Sequence, residues 1–273
     1  MAILKLRYKV SRSRFLINSS ENEFYWKLGY RSRQIVFQLV HPIRFFFLQR
    51  LRKKEVSSNY LLSLKPFDET KSIFVRIPKS AGRSLSISLY GCLVGSHIKF
   101  KEYQVVYSAK ELDTYFKYTF VRNPWDRLVS AYFFLREGGV IGGDKMFADK
   151  NFNEAVDFED FVLNYLRKDE VLSFTHFIPQ HEFLVVKNKL CVDFVGYYEN
   201  LVPDFEYIKE KLALDSSIKL EKNNITKSRS KKRYQDYYTE EMKQIVATVY
   251  QKDIALFGYT FENDNINQLV ELR

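Results

Sequence analysis

Lys79, Arg83 and the hydroxyls of Ser80 and Ser84 lie within one short run, IPKSAGRS at residues 77–84. Some forty residues on, Arg122 and Ser130 stand eight apart in FVRNPWDRLVSAYFF, residues 120–134. These types suit the oxygens of a phosphate-like anion: arginine offers a planar fork, lysine a point charge, and serine a further donor. Ala81 and Gly82, carrying little or no side chain, let main-chain N–H groups approach such a ligand closely. Two anion sites in one chain suit a ligand with phosphate at both ends. By itself IPKSAGRS is equally compatible with an ordinary turn and a solvated lysine.

The elements that must hold these residues are legible around them. KSIFVRI, residues 71–77, is an apolar run of strand length ended by Pro78. Past the loop, SLSISLYG alternates like a strand, but Leu85, Leu89 and Cys92 recur at helical spacing, and a helix is preferred. Its vacant N–H groups and positive dipole end would face an anion held by residues 80–84. YTFVR reads as a second strand, Asn123 as a helix cap, and Pro124 as the first helical residue, with Asp126 in the first turn. Leu128, Tyr132 and Leu135 then form an apolar stripe. Arg127 is expected to pair with Asp126 or face solvent. A nucleotide-kinase loop is disfavoured, because GxxxxGK[ST] places lysine after the second glycine and Lys79 precedes Gly82.

The two motifs, in this order, resemble those of carbohydrate-type sulfotransferases that use 3′-phosphoadenosine-5′-phosphosulfate. The likeness runs from about residue 71 to 260 and extends to FIPQHEFL, VGYYENL and the tail beginning TKSRSKKRY. Arg83 departs from it, standing where the family usually carries a small or hydroxyl residue. The resemblance implies an α/β fold with a central, mostly parallel sheet flanked by helices and a P-loop-like nucleotide site. It implies that Lys79, Ser80, Ala81, Gly82, Arg83 and Ser84 hold the 5′-phosphosulfate and that Arg122 and Ser130 hold the 3′-phosphate. Arg229, in the basic cluster Lys227, Arg229, Lys231, Lys232 and Arg233, would clamp the same phosphate. The implied reaction moves a sulfuryl group to a carbohydrate hydroxyl, with Lys79 neutralising charge on the leaving oxygen and no metal needed.

A base for the acceptor hydroxyl is sought among four histidines, His41, His97, His176 and His181. His97 occupies the place where heparan-type relatives carry their catalytic histidine and is preferred, with His176 next. His176 and His181 flank Pro179 and would shape an acceptor cleft. Two other readings stay open. An ATP phosphotransferase would need magnesium, and a non-catalytic polyanion binder would be indifferent to Lys79.

Composition sets the remaining expectations. With 273 residues and 46% hydrophobic content, one sizeable core is within reach, and residues 71–273 are read as the catalytic domain after an extension at 1–70. A net charge of +10 points to anionic partners, the nucleotide and an acidic glycan, while no zinc-finger, RNP or heptad pattern supports nucleic acid. Cys92 and Cys191 give no disulfide framework. LKLRYKVSRSR lacks a signal-peptide core, so a cytoplasmic protein is expected, or a Golgi-lumenal one if the chain is a eukaryotic fragment. Residues 35–51 are apolar but interrupted and too short to span a bilayer, leaving peripheral membrane contact through 35–54 or packing on the domain.

Finer expectations concern loops and later helices. SSNYLLSLKP reads as a linker, EGGVIGGDK as a mobile loop near the site, and DFEDFVLNYLRKD as a core-facing helix capped by Asp157. FLVVKNKLCVDFVGYYE reads as strands about a KNK turn, with Tyr197 or Tyr198 placed to stack on adenine. Thr239 should cap a helix ended by Gly258. The sequence leaves the oligomeric state and the identity of the acceptor open.

Overall fold

The structure is a computed structural model that describes residues 25, 27–56, 61–221 and 232–271. The basic N-terminal run and Lys227, Arg229 and Lys231 lie outside the described residues.

At the centre is a parallel sheet of three strands, which with its flanking helices makes the α/β architecture expected. Seven strands occur among the described residues: β1 Leu62–Ser63, β2 Ser72–Val75, β3 Leu93–Val94, β4 Phe116–Val121, β5 Val185–Val186, β6 Lys189–Leu190 and β7 Phe194–Tyr197. β4 lies between β2 and β7, in register through Val75 with Thr119 and Val121 with Tyr197. Every residue of β2 is buried, as an apolar run covered on both faces requires. The Phe74 and Tyr118 rings stack across the two strands with centroids 4.8 Å apart. Because the strands are parallel, the segments leaving β2, β4 and β7 emerge at the same edge, where open α/β sheets bind ligands.

The helix after β2 is real and runs Gly82–Tyr90, burying Leu85 and Leu89 with Cys92 just beyond. The helix after β4 runs Pro124–Arg136, with Asn123 Oδ1 accepting from Trp125 N as a cap should. Its apolar residues join a second cluster with Phe161, Phe177, Met242 and Tyr250, beside the cluster on the sheet.

Several local expectations change. Part of the supposed linker is folded: β1 pairs with β3, and Ser63 and Leu64 are fully buried. The DFEDFVLNYLRKD segment keeps its Asp157 cap but passes from an α-turn at Phe158–Asp160 into a π-turn at Phe161–Tyr165. The helix capped by Thr239 ends at Val249 and restarts as Gln251–Phe257, because Tyr250 turns inward and its hydroxyl donates to the Phe177 carbonyl. Gly258, with φ of 71°, is the stop. The KNK turn joins β5 to β6 with Lys187 and Asn188 both left-handed, the geometry of a tight hairpin.

Candidate active site

The loop between β2 and the Gly82–Tyr90 helix is unusual in its backbone. Lys79 and Ala81 adopt φ of 69° and 56°, in the left-handed region that non-glycine residues rarely enter. Such alternation curls successive N–H groups into a concavity that suits an anion, and here it leads directly into a nine-residue helix. Ser80 is 1% exposed and its hydroxyl has no partner among the described residues. An orphaned buried hydroxyl beside a helix N-terminus fits a ligand oxygen. Gly82 lies close against Arg76: a Cβ there would come within 3.1 Å of Arg76 Nε, so the arginine would have to yield by a few tenths of an ångström.

Arg122 at the end of β4 touches this loop. Its Nη1 donates to the Lys79 carbonyl at 2.9 Å, while Nε and Nη2 bind Asp126 Oδ2, each at 2.7 Å. The guanidinium carbon lies 3.9 Å from the centre of the Tyr198 ring, which arrives from β7. All three strand ends thus meet at Arg122. Its backbone is held in turn by Gln180, whose side chain accepts from Arg122 N at 2.9 Å and donates to Arg122 O at 2.8 Å. Asp253, fully buried, accepts from Gln180 N at 2.6 Å and from His181 N and Nδ1 at 2.9 and 2.6 Å.

Lys79 reaches from the loop toward the Pro124–Arg136 helix, its Nζ 3.7 Å from the centre of the Phe134 ring. Burial, and then the neighbouring Arg122 charge, bring its pKa down to about 7, against weaker upward pulls from Asp144 and Glu137. Among the described residues Lys79 makes no ion pair. Phe134 also stacks on His176, centroids 5.0 Å apart, and His176 lies 6.0 Å from the His97 ring. His97 Nδ1 is 3.2 Å from the Arg76 carbonyl. A carbonyl only accepts, so Nδ1 carries the proton and Nε2 is the basic nitrogen of the neutral ring. His176 is buried with Nδ1 unpartnered; burial, and then His97, Lys79 and Arg127, hold its pKa well below the ordinary range.

The structure therefore brings Lys79, Ser80, Arg122, His97 and His176 together. Ser130 is buried two turns into its helix. His181 is tied to Asp253, and the His41 ring packs against Phe37, centroids 5.2 Å apart. Arg229 lies outside the described residues. Arg127 departs from its expected pairing: it is buried and donates to the His176 and Ile178 carbonyls at 3.2 and 2.9 Å, while Asp126 takes Arg122. Tyr197 is buried with its hydroxyl on the Phe257 carbonyl, and Tyr198 lies against Arg122. The EGGVIGGDK segment adjoins the site, as Lys79 feels both ends of it, and it is anchored where few anchors were expected. Asp144 accepts from Val140 N and Ile141 N and opens a helix at Gly142–Asn151.

Three contributors escaped sequence reasoning. Arg76 is buried at the end of β2 without a carboxylate, Nη1 on the Val94 carbonyl, and burial lowers its pKa to about 10. Gln180 and Asp253 lie 58 and 131 positions beyond Arg122, and only IPQH had hinted at the first. No local spacing signals either.

The family model described as "Sulfotransferase family" matches residues 58–260, most of the chain, including the Lys79 loop, Arg122, His97, His176, Gln180 and Asp253. The chain belongs to the sulfotransferase family. It is also similar to an uncharacterized protein of Archaeoglobus fulgidus, 34% identical over 109 residues, covering 40% of this chain and 77% of that protein. No solved structure matches it significantly. The sulfotransferase resemblance read from the motifs is thus confirmed at family level, and sulfuryl transfer is the general chemistry. Among the described residues no cluster of three metal-ligating side chains occurs and no helix is long and apolar enough to cross a membrane.

Proposed function

We propose that this sulfotransferase transfers the sulfuryl group of 3′-phosphoadenosine-5′-phosphosulfate to a hydroxyl of a carbohydrate acceptor. The observation that carries the reading is the Lys79 loop: a half-buried ammonium with no ion pair among the described residues, beside an orphaned Ser80 hydroxyl, at a helix N-terminus, held by Arg122. This donor set fits a terminal phosphosulfate, because each group is a donor or a cation. When bound, the donor supplies an activated sulfuryl group on a phosphate leaving group.

The chain's own residues would do the rest. Main-chain N–H groups of residues 80–84 and the Ser80 and Ser84 hydroxyls orient the phosphosulfate, with Arg83 at the rim. Lys79, only partly protonated at neutral pH in the free protein, becomes more fully charged as the anion arrives, concentrating positive charge where the leaving oxygen develops negative charge. His97 is assigned as the base: with its Nδ1 proton directed at the Arg76 carbonyl, Nε2 is the nitrogen that would take the acceptor proton. Burial keeps His176 neutral against the same cluster. Arg122 and Ser130 take the 3′-phosphate, for which Arg122 must share the fork now held by Asp126; Arg229 is assigned to the same group from its sequence context. The carbohydrate class of acceptor rests on the resemblance of the two motifs.

Calorimetric titration with 3′-phosphoadenosine-5′-phosphate against ATP tests the donor. Saturable binding of the bisphosphate with no magnesium-dependent ATP binding is expected, and equal affinity for ATP rejects the donor assignment. Transfer of labelled sulfur to a panel of polysaccharides and simple alcohols then tests the acceptor, and transfer to none of the glycans rejects that class.

A further inference from the structure

Along the sequence, the chain's net positive charge falls outside the segment that holds the site. Residues 1–54 hold thirteen Lys and Arg against two Glu, whereas residues 55–273 hold thirty Lys and Arg against thirty-one Asp and Glu. The whole net charge of +10 is thus accounted for before residue 55, and the sulfotransferase domain is close to neutral. The global charge, read from sequence as a sign of anionic partners, comes from the N-terminal segment of the sequence.

Within that segment the described residues form two helices, α1 Tyr30–Val40 and α2 Pro42–Lys53, which carry six of its cations. One side of the pair is fastened to the domain: Phe37, Leu48 and Leu51 are buried, Arg44 pairs with Glu102 at 2.7 Å, and Arg52 binds Asp68 at 2.8 Å. The helix they pack on, Phe100–Val106, directly follows the His97 loop. The other side is apolar and bare. Ile35, Leu39, Val40, Ile43, Phe46 and Phe47 are between 42% and 75% exposed, gathered around the Pro42 bend. Arg31, Arg50 and Lys53 are exposed near the same pair, and no acidic residue occurs from Phe24 to Lys54.

We propose that the α1–α2 face docks this sulfotransferase on an anionic lipid bilayer, its apolar side chains entering the interface and the flanking cations meeting lipid headgroups. Neither feature alone selects this occupant. A protein partner would be recognised by satisfied polar contacts around an apolar centre, but a one-sign rim with no carboxylate complements a negatively charged plane. Two short helices lying side by side, neither able to span the membrane, match the interfacial mode. Because the helices are ion-paired to the domain rather than tethered by a linker, docking fixes the orientation of the site relative to the lipid surface.

Flotation of the full chain with phosphatidylcholine vesicles, and with vesicles that also contain phosphatidylglycerol, tests this. Wild-type protein is expected to float only with the anionic vesicles and to be released by added salt. Leu39→Ser/Ile43→Ser/Phe46→Ser, all at exposed positions, should lower the partition coefficient by about tenfold or more, and Arg50→Gln/Lys53→Gln should weaken it several-fold, with thermal midpoints and nucleotide binding unchanged. Absence of flotation with anionic vesicles overturns the proposal, as does equal flotation with neutral ones or undiminished flotation of the triple-serine variant. Light scattering supplies the last arm: a wild-type dimer that this variant dissociates would assign the face to a second copy of the chain.

Discussion

Arg122 Nη1 donates to the main-chain carbonyl of Lys79 at 2.9 Å, so the residue ending β4 holds the loop ending β2 in its left-handed shape. The contact makes the two anion motifs one structure. It also fixes what Arg122 does before any ligand arrives, since Asp126 and Tyr198 occupy the rest of its guanidinium.

Arg122→Ala is expected to unfold the site as well as weaken it. Asp126 would be left buried without its partner, a loss of about 3–5 kcal/mol, visible as a lower denaturant midpoint. Arg122→Ala/Asp126→Asn should recover part of that stability but not nucleotide affinity. If Arg122→Ala leaves stability intact, the guanidinium does not fasten the loop.

Ser80→Ala separates ligand binding from folding. Its hydroxyl has no partner to lose, so folding stability should stay the same or rise slightly, while affinity for 3′-phosphoadenosine-5′-phosphate falls by the ~0.5–1.5 kcal/mol of one hydrogen bond. Unchanged affinity in titration calorimetry would remove Ser80 from the site.

Lys79 makes binding depend on pH. Its pKa in the free protein is brought down to about 7, and a bound anion drives it back up. Above pH 7 the free protein therefore lacks this proton and the complex holds it, so binding takes up a proton and affinity falls as pH rises, by up to about tenfold per pH unit. Calorimetry in buffers of different ionisation enthalpy at about pH 8 should show uptake approaching one proton. Lys79→Met should abolish both the uptake and most of the turnover.

His97→Ala should reduce turnover by about 10²–10⁴-fold with donor affinity retained, the usual contribution of a positioned base. His176→Asn is the control: it lies 6.0 Å away by ring centroid, yet is buried and held neutral, and it should perturb stability more than the pH profile of turnover. Should His97→Ala keep full turnover, the base lies elsewhere.

Asp253→Asn tests the long-range support. This carboxylate accepts three hydrogen bonds from Gln180 and His181 while fully buried, and the amide cannot accept them all. A stability loss of about 1–3 kcal/mol is expected in thermal or urea unfolding, with kcat reduced through the displaced Arg122 backbone. Asp253→Glu should restore little, because the enclosed position admits no extra methylene.

Much of this was legible in the chain, because it is local. The strand ending before Pro78, the Asn123-Pro124 helix start and the Gly258 stop are each set within a few residues by φ restriction, capping and apolar spacing. The anion-loop residues announced themselves by type. Where local signals were read too far, a buried side chain had overruled them: Tyr250 broke a helix that looked continuous, and Leu64 drew an apparent linker into the core.

What sequence alone determined, then, was the family, the parallel α/β framework and the two motifs that handle anions, since these depend on residue types at short separation. Tertiary structure alone decided how those residues work together. It placed Arg122 against the Lys79 loop, gave Asp126 to Arg122 instead of Arg127, and supported the arrangement with Gln180 and Asp253 from far along the chain. It lowered the Lys79 pKa by burial and a neighbouring charge, and it bared one face of α1 and α2 while fastening the other. Burial, hydrogen-bond partners and field strength are properties of distance in space, and distance along the chain does not encode them.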